Sequence, residues 1–105
     1  DSLARLEAIE AETVVPSHGD PFAGHRDWIA RTRLHHRRRC DQLARVVEAG
    51  PLSGYQATVA AWGPNRSAGD LRLALAEALA HLEFLARSGR AERRELDGEV
   101  RWQAI

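Results

Sequence analysis

A mainly α-helical domain carrying one small β-hairpin is the fold class this sequence predicts, and three stretches predict it. The first is residues 70–89, DLRLALAEALAHLEFLARSG. There Leu71, Leu75, Ala78, Leu79, Leu82 and Leu85 recur at three- and four-residue steps and so share one face of a helix. The second is Ser53-Gly54-Tyr55-Gln56, an S-x-x-Q capping pattern shortly after the helix-stopping Gly50-Pro51. The third is Asp97-Gly98 between two β-capable runs, a strong short-range hairpin signal.

Composition sets the outer bounds. The 105 residues suffice for one ordinary domain, or for a small domain plus a remnant of another. With 44% hydrophobic and 29% charged residues the chain reads as folded. Fifteen basic residues balance fifteen acidic ones, so no global field draws in nucleic acid or a membrane. Every basic residue is Arg and none is Lys, which a GC-rich genome explains. The single Cys40 can form neither an internal disulfide nor a Cys-based zinc site, which fits the cytoplasm. No apolar run approaches a membrane span and no signal peptide is visible. The chain has no methionine, and its opening DSLARLEAIE reads like the inside of a helix. Both features suggest the C-terminal fragment of something longer, beginning at Asp1.

In chain order, residues 2–12 predict a short amphipathic helix, with Leu3, Leu6 and Ile9 or Glu10 on one side. Residues 13–16 are a brief β-type run, with Pro16 at its end. Residues 17–22, SHGDPF, form a turn by composition. His18 lies in it. Taken alone it is an ordinary exposed loop histidine, since no HxxxH or similar partner accompanies it.

Residues 26–49 predict a long helix. Ile29, Arg33, His36, Cys40, Leu43 and Val47 keep to one stripe, with Trp28, Leu34, Ala44 and Val46 beside it. His36 on that stripe reads as a half-buried, hydrogen-bonded histidine rather than a catalytic one. Residues 24–49 hold seven Arg against three acids, an excess of +4, and residues 1–23 hold one Arg against five, or −4. Mutual neutralisation and a nucleic-acid patch are the two readings. After Gly50-Pro51, Tyr55, Val59 and Trp62 should face inward from a short helix, and residues 63–69 are a turn-rich loop.

The helix over 70–89 has Asp70 as its expected N-cap and Gly89 as its left-handed C′ residue. Leu73, Ala76, Ala80 and Phe84 add a second apolar stripe, which implies cover on more than one side. Pairing across Asp97-Gly98 sets Glu95 opposite Val100 and Arg93 opposite Trp102, with Val100, Trp102 and Ala104 facing the helices and the Arg93 stem over the indole. Helix, short capped helix, longer helix and hairpin, in that order, make a winged helix-turn-helix.

The pieces SLARLEAI, VVPSHGDP, LHHRRR, GPLSGY, AHLEFLARSGR and the hairpin around Asp97-Gly98 stand in this order over the whole chain. In that order the chain resembles the C-terminal third of metallo-β-lactamase-fold hydrolases with an appended winged-helix domain. The resemblance implies that residues 1–24 are a remnant of the metallo-β-lactamase-type α/β domain. Residues 25–105 would then be the winged-helix domain with its long connecting helix. Such hydrolases bind two metal ions, usually zinc, through an HxHxDH run, a further His, a bridging Asp and a last His in a Pro-Gly-His-Gly turn. His18 matches that last His, Ser17 standing where a Gly is usual, and the earlier ligands are not in this sequence. His18 would therefore bind metal only in the intact protein, and no cofactor is expected in this fragment, which alone would be inactive.

Three functions follow as alternatives: accessory region of such a hydrolase, free-standing winged-helix DNA binder, or protein-interaction module. The central helix speaks against DNA, because Arg72, Arg87 and Arg90 are balanced by Asp70, Glu77 and Glu83. The wing holds three Arg against four acids. The expected reading is therefore a winged-helix region shaping or covering an active site built upstream. Its partners would be the upstream catalytic domain of the same polypeptide and a small ester or thioester, or RNA through the basic segment 31–39. Neither sequence-specific DNA nor a membrane is expected.

Overall fold

A computed structural model describes residues 2–64 and 67–105. Four helices come first: α1 (Ser2–Glu7), α2 (His25–Val46), α3 (Gly54–Trp62) and α4 (Ala68–Arg87). Strands β1 (Ala91–Leu96) and β2 (Glu99–Ala104) follow. No described helix is long and apolar enough to cross a membrane. The chain divides into two compact units, Asp1–His36 and Arg37–Ile105, and α2 gives its first half to one and its second half to the other.

In the first unit α1 is six residues long and buries none of them, shorter than the helix expected over 2–12. Its end is set by later residues: His25 Nε2 donates to the Ile9 carbonyl at 2.7 Å, and Arg26 Nε donates to the Glu7 carbonyl at 3.1 Å. Those carbonyls are taken by side chains instead of a further helical turn. Arg33 Nη1 meets the Glu7 carboxylate at 2.7 Å, so the acidic and basic stretches do neutralise each other at one point. The expected β-type run at 13–16 is only an isolated antiparallel bridge, Val14 to Phe22.

The second unit holds the larger core: Cys40, Leu43, Val47, Ala57, Ala78, Leu82, Leu85, Ala91 and Trp102. A 3-10 turn, Val47–Ala49, finishes α2 before Gly50. The capping box opens α3 as expected, with the Gln56 N–H donating to Ser53 Oγ and the Ser53 N–H donating to Gln56 Oε1. Its inward face differs from the expectation. Gly54, Ala57 and Thr58 are buried, Val59 and Trp62 are half-buried, and Tyr55 is exposed. Small residues let α3 approach α4 closely, since a Cβ on Gly54 would lie 2.5 Å from Leu79 Cδ2. The Ser53 hydroxyl caps a helix packed on the core, so Ser53→Ala should cost about 1 kcal/mol. The shift in urea midpoint measures it, and an unchanged midpoint would show the box to be idle.

Of the loop expected over 63–69, residues 65 and 66 lie outside the described part, and α4 already starts at Ala68. Ser67, not Asp70, is the N-cap, accepting from the Asp70 N–H at 3.2 Å. At the other end Gly89 adopts φ 77° while Arg90 N–H donates to the Leu85 carbonyl and Gly89 N–H to that of Ala86. This is the Schellman closure that a C′ glycine permits. The second apolar stripe is not covered: Leu73 is 72% and Phe84 60% exposed.

The hairpin has the expected register, Glu95 opposite Val100 and Arg93 opposite Trp102. Asp97 and Gly98 both take positive φ, 54° and 76°, as a two-residue primed turn requires. Trp102 is buried, and Val100 and Ala104 are half-buried. The Arg93 guanidinium turns to Glu83 at 3.0 Å instead of lying over the indole. The cation over an indole is Arg39, 4.5 Å above the ring of Trp62. A carboxylate at hydrogen-bond distance holds the exposed Arg93 guanidinium, whereas Arg39 meets both partners, its Nε 3.4 Å from Glu77 while its guanidinium lies over Trp62.

Candidate functional site

The turn carrying His18 is built by its ends. Val14 N–H donates to the Phe22 carbonyl at 2.7 Å, and Phe22 N–H donates to that of Val14 at 2.9 Å. This pair of bonds clips residues 15–21 into a closed loop. Pro16 offers no N–H to extend the ladder. Gly19, at φ 99°, supplies within the loop a conformation that L side chains rarely adopt. His18 sits in that loop, exposed. A clipped loop with an exposed imidazole can offer a nitrogen to a ligand with little loss of side-chain freedom.

The other histidines do not join it. His25 is buried, with Nε2 committed to the Ile9 carbonyl. His35 and His36 are neighbours on α2, their rings 5.8 Å apart edge to face. His36 is exposed, not half-buried, because that turn of α2 carries the exposed Arg37 and Arg38 rather than a core face. His81 is buried in the second unit and donates Nδ1–H to the Glu77 carbonyl one turn back. Cys40 is also buried there, and burial pushes its thiol up despite the opposing Arg90. That keeps it a protonated, inert packing group. Among the described residues no group of three or more His, Cys, Asp or Glu is placed to hold a metal ion. The described residues therefore do not by themselves fit a metal centre. His18 supplies one donor where three are needed.

One feature next to the turn escaped the reading of the sequence. Leu6, Ile9, Val14, Phe22, Trp28 and Ile29 line an apolar cavity of about 370 Å³ in the first unit. Phe22 and Trp28 meet across it with ring centroids 6.2 Å apart. His25, the first residue of α2, also lines it.

No family model matches the chain, and no curated protein does. Two solved structures are similar along 99% of its length. One is a β-lactamase domain protein from Burkholderia ambifaria, with TM-score 0.86 and 33% identity. The other is a metallo-β-lactamase family protein from Thermus thermophilus, with TM-score 0.79 and 27% identity. The chain spans 32% and 31% of those two proteins, about a third of each. These likenesses relate the whole chain to metallo-β-lactamase-fold proteins.

Proposed function

We propose that these 105 residues are the C-terminal region of a metal-dependent hydrolase of the metallo-β-lactamase fold. Residues 1–24 would complete the catalytic domain, and residues 25–105 would form an appended winged helix that shapes or covers an active site built upstream. The observation that carries this is the likeness over the whole chain to metallo-β-lactamase proteins three times its length. The hairpin packed beside α4, and the capped α3 before it, support the winged-helix part of the reading. Its setting would be the cytoplasm, where the lone buried Cys40 stays reduced.

In the intact protein His18 would be one ligand of a centre of two zinc or similar divalent ions, all other ligands coming from upstream. Such ions polarise the substrate and activate water. This chain's own contribution is narrower. The Val14–Phe22 clip orients the loop, and His18 is exposed on it. An ester, thioester or RNA is the substrate class that fits this reading, with no sequence-specific DNA contact and no membrane.

The test is hydrolysis by the full-length protein of model esters, thioesters and phosphodiesters, with and without a chelator. Cleavage that the chelator abolishes and zinc restores is the expected result. Cleavage indifferent to the chelator, or none in any class, would overturn the reading.

A further inference from the structure

The outer face of α4 is a narrow apolar seam. Leu73, Ala76, Ala80 and Phe84 follow one another at steps of three or four residues, and all four are exposed. Both flanks of the seam are closed from within the second unit. On one side Arg93 of β1 meets Glu83 at 3.0 Å, and on the other Arg39 of α2 meets Glu77 at 3.4 Å. What stays open is a single ridge, as narrow as a coiled-coil seam and unlike a broad domain face. The fitting occupant of such a ridge is another helix. Ala76 and Ala80, small residues at its centre, let the two axes come close.

The seam also says which helix. Read in either direction it is the same: large, small, small, large, with Leu73 and Phe84 at its ends. The charges beside it reverse their sign at mirror positions. A second α4, turned antiparallel about a point level with Ala78, sets Leu73 opposite Phe84, Ala76 opposite Ala80 and Arg72 opposite Glu83. It also brings Asp70 level with Arg87. Asp70, Arg72 and Arg87 are exposed and make no ion pair among the described residues. Glu83 already holds Arg93, and a carboxylate has acceptor sites for a second guanidinium. A parallel arrangement would instead set each arginine against its own copy. Self-complementarity about a two-fold axis is what an isologous dimer requires.

We propose that two copies of this chain associate through α4, antiparallel, along Leu73, Ala76, Ala80 and Phe84. The contact is weak. A single helix ridge falls below the roughly 1,200 Å² at which stable interfaces begin, so the chains part at micromolar concentration and pair toward the millimolar. Leu73 therefore stands in water at the dilution of an unfolding titration. The proposal rests on α4 itself and goes beyond the hydrolase reading, needing neither metal nor substrate.

The experiment is sedimentation equilibrium on the full-length protein from micromolar to millimolar concentration. A monomer–dimer equilibrium is the expected result. Phe84→Glu should weaken it about tenfold or more, because each dimer then buries two carboxylates against apolar groups. Val15→Glu, at an exposed apolar position outside α4, should leave it unchanged. Mixing then reads the pairing. Arg72→Glu alone and Glu83→Arg alone each set like charges together twice per dimer, and each should pair about tenfold more weakly. Mixed one to one, they form a heterodimer in which both pairs are again opposite in sign, and wild-type affinity should return. Circular dichroism checks that each variant is folded. If Glu83→Arg is not, Asp70→Arg mixed with Arg87→Asp makes the same comparison. Monomer over the whole concentration range overturns the proposal, as it would if the rest of the polypeptide covered α4. Dimers that Phe84→Glu leaves intact overturn α4 as the interface, and no recovery on mixing overturns the antiparallel pairing. Chelator-sensitive hydrolysis, the test of the proposed function, is a separate readout, so either reading can fail alone.

Discussion

If His18 is the metal ligand proposed above, replacing it with alanine in the full-length protein should remove one of two metal ions and lower turnover by roughly a hundredfold or more. The magnitude follows from what surrounds a ligand: losing even a partner one shell out typically costs about 10- to 100-fold. The fold should not notice. His18 is exposed on a loop whose shape is held by the Val14 and Phe22 backbone, not by the imidazole. Surface substitutions of that kind move stability by about 0.5 kcal/mol or less. Metal content, melting temperature and hydrolysis are measured on the same preparation. A variant with two ions per chain and undiminished activity would make His18 an ordinary loop residue.

The largest stability effect should come from α4, and it should depend on which leucine is cut. Leu82 is wholly buried in the core with Leu43, Leu85 and Trp102, so Leu82→Ala should cost about 3 kcal/mol in lost transfer energy and cavity. Leu73 belongs to the same helix but stands in water, and Leu73→Ala should stay within about 0.5 kcal/mol. Urea midpoints with unchanged slopes give both values. Comparable losses at the two positions would show that Leu73 is covered in solution.

That pair of leucines also marks how far the sequence could be read. Periodicity gives the angle of each side chain around a helix axis, so the face bearing Leu82 and Leu85 was legible. It does not say whether a neighbour lies opposite a second apolar face, and none of the described elements covers Leu73 and Phe84. Local chemistry did better than burial. Asp97-Gly98 fixes a primed turn, a primed turn fixes the register, and the register held at every pair named. The N-cap of α4 fell to Ser67 rather than Asp70 because both side chains can accept and only the backbone of the preceding loop decides. His18 was visible as a turn residue and gained a role only by resemblance. The cavity beside it is assembled from residues 6 to 29 with no shared period, and so leaves no pattern to find.

The hairpin has one more consequence, which concerns growth rather than stability. A two-stranded sheet leaves two open edges, each a template for another chain. Here the far side of β2 is already taken where Leu52 and Trp102 exchange both backbone bonds, at 2.9 and 2.8 Å, with Pro51 next in line and without an N–H. Along β1 four consecutive exposed residues are charged, Glu92, Arg93, Arg94 and Glu95. A strand approaching either side meets an occupied edge or a row of hydrated ions. The sheet is therefore finished at two strands, which protects a concentrated solution from edge-to-edge polymerisation and means that whatever meets this hairpin must read its side chains.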